Sequence, residues 1–239
     1  RQVLRQMLSN LSKILNDVNT FVVPQTCFGC NAALYRGEPI LCAFCRNELP
    51  LTDYNYLQEN AADRLFYGRC RVEKAASLLF YAEKGLSQRL IHQLKYRGAE
   101  QIGTFFGRWY GAMAAGENRL RSVDYVMPVP LHPARMRQRG YNQCSRFGRE
   151  IARHLGAAYS ESLLLRQQPS PTQTRKDRWQ RWKSTHGSFR LPKPERIRDK
   201  KVLLVDDVIT TGATLEACCK ALEAANPAAI FIGTMAIVP

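Results

Sequence analysis

Short apolar runs and helical repeats alternate along the second half of the chain. The apolar runs lie at residues 123–130, 162–165, 202–205 and 228–238. Runs of this length, rich in Val, Leu and Ile, predict buried strands of a parallel sheet. Apolar residues at helical spacing follow at residues 141–155 and 213–225, and Pro227 stands where the second of these helices should end. This alternation predicts an α/β fold with its functional sites at the carboxyl ends of the strands.

The segment that follows residues 202–205 has the residue types needed to bind a phosphorylated sugar. Asp206 and Asp207 come first, and a short loop then leads into the helix through Thr210, Thr211, Gly212, Ala213 and Thr214. A helix N-terminus presents backbone N–H groups to an anion, glycine allows close approach and the threonines add hydroxyl donors. The two carboxylates could accept hydrogen bonds from the 2′ and 3′ hydroxyls of a ribose. Ribose 5-phosphate is the smallest ligand with that shape, and the alternative is a threonine-rich turn without a ligand.

Four of the eight cysteines have the spacing of a metal site. They form the pattern C-x2-C-x11-C-x2-C and are Cys27, Cys30, Cys42 and Cys45. Two such turns supply four sulfurs to one tetrahedral zinc ion, and no position stays open for chemistry, so the predicted zinc is structural. Disulfides, redox use or an empty site are the alternatives. The other cysteines (Cys70, Cys144, Cys218 and Cys219) lack this spacing and are interpreted as small core residues.

The chain is strongly basic, with 35 Lys and Arg residues against 20 Asp and Glu residues and a net charge of +15. Residues 166–201 hold 12 basic and three acidic residues, and a second cluster comprises Arg135, Arg137, Arg139, Arg146 and Arg149. Such charge attracts polyanions, including nucleic acid and phosphorylated metabolites. Trp179 and Trp182 lie within the first cluster and could stack on bases of single-stranded DNA. The alternatives are a solvated basic surface and tryptophans that belong to the core.

Composition excludes several classes of protein. Hydrophobic residues make up 45% and charged residues 23% of the chain, which is typical of globular proteins and excludes whole-chain disorder. No apolar run approaches the roughly 18 residues of a membrane span. The first 24 residues lack the pattern of a secretory signal, and apolar residues between positions 4 and 18 have helical spacing. We therefore expect a soluble, cytoplasmic protein.

Several segments together resemble one protein family. Residues 202–214 are similar to the phosphoribosyl diphosphate (PRPP) loop of type I phosphoribosyltransferases. Residues 128–143 resemble the second signature of the ComF/GntX group within that superfamily, and residues 91–98 resemble its Leu-Lys-Tyr segment. The group also carries an N-terminal four-cysteine module. Residues 181–189 follow its Arg-x-x-Asn pattern, except that Ser184 stands where asparagine is usual.

The resemblance implies a type I phosphoribosyltransferase fold, a doubly wound and mainly parallel sheet, with a small zinc module. It divides the chain into a helix and zinc module at residues 1–70 and a phosphoribosyltransferase-like domain at residues 71–239. It assigns the loop after the first strand to diphosphate, with Arg135 and Arg139 as ligands, and implies Mg²⁺ bound with PRPP. Residues 167–188 would form a mobile loop over the site, or a plain surface loop.

Three functions follow from this resemblance. The first is a ComF-like role in DNA uptake, with a domain that binds PRPP or another ribose phosphate, with binding of single-stranded DNA, and with a competence helicase as partner. The second is an active phosphoribosyltransferase that moves ribose 5-phosphate from PRPP to a nucleobase or amine, Asp206 and Asp207 holding the ribose and favouring its oxocarbenium-like state. The third is a PRPP-sensing regulator. No acceptor pocket can be identified in the sequence, so enzymatic turnover stays open.

Overall fold

The structure is a computed structural model that describes residues 25–167 and 188–239. By compactness the chain divides into two units, residues 1–49 and residues 50–239. The division into residues 1–70 and 71–239 stays a prediction. The helical repeat at residues 4–18 and the tryptophans of the basic cluster lie outside the described residues.

The described residues form seven helices and seven strands, besides two short 3-10 helices. In chain order they are α1 (Ala43–Asn47), α2 (Ala61–Arg64), β1 (Lys74–Phe80), α3 (Leu86–Tyr96), α4 (Glu100–Ala115), β2 (Tyr125–Pro128), α5 (Pro133–Arg139), α6 (Ser145–Leu155), β3 (Ala158–Tyr159), β4 (Leu165–Arg166), β5 (Phe189–Arg190), β6 (Lys201–Ile209), α7 (Ala213–Glu223) and β7 (Ala229–Ile237). Only α1 belongs to the first unit.

Five strands of the second unit form one parallel sheet in the order β1-β7-β6-β2-β3. The residues from Val202 to Val205 on β6 have no exposed surface, as expected for a central strand covered on both faces. Val202 and Leu204 share a cluster with Leu215 and Leu222 of α7, whereas Val205 lies against α6. The sheet is therefore doubly wound, and this part of the fold prediction is confirmed.

Close helix packing supports the other face of the sheet. Gly107 of α4 lies against α6, and a Cβ atom at this position would come within 2.7 Å of the carbonyl oxygen of Phe147. A Cβ atom at Gly111, one turn later, would come within 2.9 Å of the ring of His154. The glycines let two helix backbones approach closely, which fixes α6 and the loop that precedes it.

The strand prediction for residues 162–165 is wrong. The sheet instead ends at β3, where Ser160 N donates a hydrogen bond to Val126 O. Leu163 and Leu164 are both buried, so this apolar run packs into the core with successive side chains and lacks the alternation of an edge strand. Residues 165 and 166 form β4, which pairs antiparallel with β5 outside the main sheet.

The topology creates a crevice at the carboxyl ends of β2 and β6. These strands are neighbours, since Pro128 pairs with Val205. The chain leaves β6 through α7 toward β7 on one side, and leaves β2 through α6 toward β3 on the other side. In doubly wound folds, a binding crevice forms where the connections that follow two adjacent parallel strands go in opposite directions. The two segments singled out in the sequence both begin at this crevice.

Candidate functional site

The two acids lie within strand β6, which continues beyond them to Ile209. Val208 and Ile209 still pair with β7, so the prediction that the strand ends at the acids is wrong. Asp207 is 5% exposed, and its backbone N–H donates a hydrogen bond of 2.9 Å to Asp206 Oδ1. The continuing ladder holds both carboxylates on rigid backbone.

Asp207 forms an ion pair with Lys95, which lies in the last turn of α3. Lys95 Nζ is 2.8 Å from Asp207 Oδ1. Burial lowers the pKa of Lys95, but the charge and hydrogen bond of Asp207 outweigh it, so that the pKa lies above its ordinary value. Asp207 Oδ2 is buried and has no hydrogen-bond partner among the described residues. The site therefore holds an acceptor atom that is shielded from water and still free.

Asp206 has a different partner, the thiol of Cys144 immediately before α6. Cys144 Sγ lies 3.5 Å from Asp206 Oδ1 and is fully buried. Burial raises the pKa of Cys144 well above its ordinary value, so the thiol is a hydrogen-bond donor. Burial, and then the charge of Asp207, raise the pKa of Asp206 to about 7. The two acids thus differ in environment, and Asp206 exchanges its proton near neutral pH.

The loop from Thr210 to Thr214 is open to solvent at the start of α7. Its residues are exposed except Gly212, which has a φ of 73° and caps the helix without a side chain. A Cβ atom at Gly212 would also lie 3.2 Å from the ring of Phe66. The predicted helix start at Ala213 is correct, and the N–H group of Ala213 donates a hydrogen bond of 3.5 Å to Thr211 Oγ1. This arrangement can hold an anion.

Arg69 braces this loop from a distant part of the chain. Its Nη1 donates to Thr211 O at 2.9 Å, and its Nε donates to Glu216 Oε2 in the first turn of α7 at 2.9 Å. The guanidinium therefore ties the loop backbone to the helix that follows it. Sequence analysis missed Arg69, because the contact spans 147 residues and the flanking sequence has no motif.

The loop after β2 folds into the helix α5. Pro133 occupies the first helical position, and Gly140 ends the helix with a φ of 77°. Arg135 and Arg139 are four residues apart and share one face of this helix, whereas Arg137 points elsewhere. The segment is therefore helical and not extended, and two of its three arginines share a face.

Arg139 connects α5 to the end of α3. Its guanidinium carbon lies 5.0 Å from the ring centroid of Tyr96, and its Nη1 donates to Gln143 Oε1 at 2.7 Å. Asn142 Nδ2 donates to Val129 O at 2.9 Å, which closes the base of the loop. Arg135 is exposed. Arg139 is thus fixed beside the residue that follows Lys95, and Arg135 is free to reach a ligand.

The four motif cysteines come together in the first unit. Their sulfur atoms all lie within 4.8 Å of one another, and Cys30 Sγ is 3.7 Å from Cys42 Sγ. A tetrahedral zinc site with Zn–S bonds of about 2.3 Å has sulfur–sulfur edges of about 3.8 Å. The N–H groups of Gly29 and Cys42 each donate to Cys27 Sγ at 3.3 Å. Burial raises the pKa of Cys27, but hydrogen bonds from the backbone lower it by a larger amount, so that the pKa is about 7. The cluster could hold a metal ion.

Comparison with known proteins agrees with this geometry. A family model described as "Phosphoribosyl transferase domain" matches residues 142–238. Competence protein F of Haemophilus influenzae is 28% identical over 212 residues, which are 82% of this chain and 90% of that protein. The DNA utilization protein YhgH of Escherichia coli K12 is 26% identical over 222 residues, 88% of this chain and 96% of that protein. Over most of its length, the chain is thus similar to proteins named Competence protein F and DNA utilization protein YhgH.

Other matches of this chain are shorter or more distant. The YhgH protein of Salmonella typhimurium is 30% identical over 129 residues, 53% of this chain and 56% of that protein, so the chain matches little more than half of its length. A glutamine PRPP amidotransferase from B. subtilis with ADP and GMP is 16% identical, covers 60% of this chain and 30% of its own, and has a TM-score of 0.42. The type I phosphoribosyltransferase fold is assigned from the family match and the parallel sheet.

Ion pairs partly neutralise the second basic cluster, which comprises the arginines between positions 135 and 149. Arg146 lies 3.1 Å from Glu100, and Arg149 lies 3.2 Å from Glu161. Both arginine side chains remain more than half exposed. These two residues are therefore weaker anchors for a polyanion than the sequence suggested. No helix among the described residues is long and apolar enough to cross a bilayer.

Proposed function

We propose that this protein binds PRPP, or a related ribose phosphate, in the crevice between β2 and β6, and that it serves DNA utilisation during uptake. The observation that carries the ligand proposal is the unpartnered oxygen of Asp207, buried on the strand that leads into an open helix N-terminus. A buried polar atom without a partner costs about 1–3 kcal/mol, and a ligand hydroxyl would remove that cost.

Each part of the ligand meets a different element of the crevice. Asp206 and Asp207 face the ribose hydroxyls, and an acid with a pKa of about 7 beside an ionised one can donate one hydrogen bond while its neighbour accepts another. The hydroxyls of Thr210, Thr211 and Thr214 and the N–H groups of Gly212 and Ala213 hold the 5-phosphate. Arg135 and Arg139 hold the diphosphate. This division of contacts makes PRPP a better ligand than ribose 5-phosphate.

Calorimetric titration tests the ligand proposal. PRPP with Mg²⁺ should bind one site per chain, and ribose 5-phosphate should bind the same site more weakly, because the diphosphate contacts of Arg135 and Arg139 are lost. Inorganic diphosphate serves as a control for simple attraction to a basic protein. PRPP binding no tighter than that of inorganic diphosphate would contradict recognition of the ribose.

The DNA part of the proposal is supported by the relatives and by charge. The relatives carry the names Competence protein F and DNA utilization protein. Residues 166–201 carry +9 of the net charge of +15, with Trp179 and Trp182 among them. We propose that this segment binds single-stranded DNA, that a competence helicase is the protein partner, and that the protein works in the cytoplasm, where free thiols persist.

Salt dependence tests DNA binding. Affinity for a fluorescent oligonucleotide should fall with salt by a slope of roughly −0.7 per neutralised phosphate. Replacing Arg175, Lys176, Arg178 and Arg181 by glutamine should flatten this slope, whereas Trp179→Ala should weaken binding at an unchanged slope. Arg149→Gln is the matched control, because Arg149 is already paired with Glu161. If the salt slope is the same in wild type and in the variant with four substitutions, the basic segment binds another partner.

An active phosphoribosyltransferase is the second candidate function. The observation in its favour is that the acids, the anion loop and Arg139 are all braced by other residues of the fold, as a reaction site requires. Diphosphate would leave C1 of PRPP while the acid pair stabilises positive charge on the ribose and the arginines stabilise the departing group. Mg²⁺ bound with the diphosphate would supply further charge neutralisation. A diphosphate-release screen across nucleobases and amines distinguishes turnover from binding.

A zinc ion completes the proposal. Four sulfur donors at the spacing of a tetrahedral site, without an acid or histidine among them, favour zinc in a structural role. Cys27, Cys30, Cys42 and Cys45 would be its ligands.

A further inference from the structure

The described part of the second unit contains two pairs of lysine and aspartate in which the aspartate is buried. Lys74 Nζ lies 2.8 Å from Asp63 Oδ2, and Lys95 Nζ lies 2.8 Å from Asp207 Oδ1. The aspartate side chains are 3% and 7% exposed, respectively. Burying a pair of charges is unfavourable unless their remaining hydrogen-bonding atoms are also satisfied. The two pairs can therefore be compared atom by atom.

The Lys74–Asp63 pair is closed. Asp63 Oδ1 accepts from Ala75 N at 2.7 Å, and Asp63 Oδ2 accepts from Asn60 N at 3.0 Å as well as from Lys74. Lys74 Nζ also donates to Gln58 O at 2.8 Å. Every carboxylate oxygen has a partner, and the pair ties the N-terminus of α2 to β1. This is an ion pair with a structural role.

The Lys95–Asp207 pair is open. Lys95 occupies Asp207 Oδ1, but Asp207 Oδ2 is buried without a partner in the described part of the chain. The pair lies at the carboxyl edge of β6, beside the crevice, and the Lys95 side chain is 24% exposed. The protein thus provides a partner for Asp207 Oδ1, whereas Oδ2 can accept a hydrogen bond from a ligand.

The location of Lys95 also links the two halves of the crevice. Lys95 lies in the last turn of α3, where the negative end of the helix dipole favours an ammonium group. The next residue, Tyr96, lies under the guanidinium of Arg139. Through Lys95 the end of α3 contacts the acid pair, and through Tyr96 it contacts Arg139 in the loop after β2. Both residues precede the segment at 142–238 that the family model matches.

We propose that Lys95 is a positioning residue of this site: its ammonium pairs with the Asp207 carboxylate and orients it, with Oδ2 free to accept a hydrogen bond from a sugar hydroxyl, and offsets one negative charge before a phosphorylated ligand enters. The proposal rests on the ribose-phosphate function proposed above. Without Lys95, two adjacent buried carboxyl groups would share protons, because like charges in one site disfavour ionisation. A protonated Asp207 would no longer offer a pure acceptor.

A metal ion is a less suitable counter-ion for this acid pair. Cys144, Asp206 and Asp207 place ligand atoms within 4.8 Å of one another, but the ammonium of Lys95 already contacts the Asp207 carboxylate. Burial also keeps the Cys144 thiol protonated. We therefore assign the role of counter-ion to Lys95 and assign no cation to these three residues.

Three variants test the role of Lys95. Lys95→Gln removes the charge but keeps a hydrogen-bond donor, Lys95→Arg restores the charge, and Lys74→Met is the matched control in the closed pair. Calorimetry with PRPP and Mg²⁺ at pH 7 should show about a tenfold loss of affinity for Lys95→Gln, equivalent to roughly 1.4 kcal/mol. Lys95→Arg should recover most of this loss. Lys74→Met should lower the melting temperature while its PRPP affinity stays within about twofold of wild type.

The pH dependence separates a charge effect from a structural one. The titratable groups facing Asp207 are Asp206 on its own strand, Cys144 before α6 and Lys95 on α3. The ratio of wild-type to Lys95→Gln affinity should shrink from pH 6.5 to pH 9, since the acid pair of the variant ionises at high pH without help. Taking the ratio cancels the titration of the ligand phosphates. A ratio that does not change with pH would contradict the proposal.

A ligand-free measurement distinguishes failure of this inference from failure of the proposed function. Carbon-13 NMR of the aspartate carboxyl groups should show the titration midpoint of the acid pair rising by roughly one to three pH units in Lys95→Gln. If wild type does not bind PRPP but the titration midpoint rises in Lys95→Gln, the ribose-phosphate function is wrong, whereas the effect of Lys95 on the acid pair is confirmed. An unchanged midpoint, or equal PRPP affinity of folded Lys95→Gln and wild type, would overturn the inference.

Discussion

Replacing both Asp206 and Asp207 by alanine is expected to abolish detectable PRPP binding and to leave the parallel sheet folded. The change removes two hydrogen bonds that involve charged groups, each worth about 1.5–3 kcal/mol, so affinity should fall by at least about a hundredfold. The sheet should remain, because β6 keeps its backbone pairing with β7 on both sides of Asp207, and replacement of Asp206 removes an unfavourable burial of a carboxyl group. Calorimetric titration with PRPP and Mg²⁺ measures the loss, and circular dichroism reports the fold.

Asp124→Ala is the matched control for this double change. Asp124 precedes β2, at the opposite edge of the sheet, and is held by Lys200 at 3.1 Å and by the backbone N–H of Lys201 at 2.9 Å. Its loss should lower stability and leave PRPP affinity unchanged. Equal affinity of wild type and the double variant would place the ligand elsewhere in the molecule.

The single change Asp206→Asn adds a stability test with a defined sign. Because the pKa of Asp206 is about 7 when folded and roughly 3.9 when unfolded, the native state binds the proton more tightly. The contribution of Asp206 to the free energy of unfolding therefore falls as pH rises from about 4 to 7. Above pH 7 the full destabilisation by the buried charge is present. Asp206→Asn should increase the free energy of unfolding at pH 8 by on the order of 2 kcal/mol, and less at pH 5. Urea unfolding at both pH values checks this, and a variant less stable than wild type at pH 8 would contradict it.

Purified protein is expected to contain one zinc ion per chain, and removing it should unfold residues 25–49. This segment has few buried apolar side chains (Ile40, Leu41 and Leu49 beside two of the cysteines), so metal–sulfur bonds would supply most of its folding free energy. Structural zinc contributes roughly 10–16 kcal/mol in small zinc peptides at pH 7. Elemental analysis gives the stoichiometry, and limited proteolysis after chelation should cut first within this segment.

Cysteine variants give the zinc prediction its controls. Cys30→Ser together with Cys45→Ser should lower the zinc content to near zero and reproduce the proteolysis pattern of the chelated protein. Cys70→Ser, a half-buried cysteine of the other unit, should retain the metal. Zinc well below one per chain, with proteolysis indifferent to chelator, would rule out a structural metal.

Features carried by neighbouring residues could be predicted from the sequence. The run from Val202 to Val205 predicted a central strand, and the segment through Thr214 predicted a helix that starts at Ala213; the structure has both, although the strand continues to Ile209. The cysteine spacing likewise predicted a cluster of four sulfurs. Both patterns act over short stretches of chain, where backbone geometry and hydrophobic periodicity leave few alternatives.

Predictions failed where tertiary packing overrides local pattern. Residues 162–165 have the composition of a strand, yet Leu163 and Leu164 are both buried in the core and the sheet closes at β3 instead. The loop after β2 has a run of basic residues without a clear hydrophobic periodicity. Pro133 and Gly140 nevertheless delimit a helix there, which brings Arg135 and Arg139 to one face. Competition for the core decided the first case. In the second case α5 buries no side chain, and the proline at its start and the glycine at its end set its limits.

The sequence by itself determined which groups could do chemistry here: two carboxylates, a threonine loop, basic residues and four thiols. Only the tertiary structure decided how those groups are prepared for a ligand. Lys95 pairs with Asp207, Cys144 contacts Asp206 across 62 residues, and Arg69 contacts the loop across 142 residues. Contacts at such separation depend on the strand order and on helix packing, because the sheet order β1-β7-β6-β2-β3 brings distant segments to one edge. Local pattern contains no information about which distant residue will fill that place.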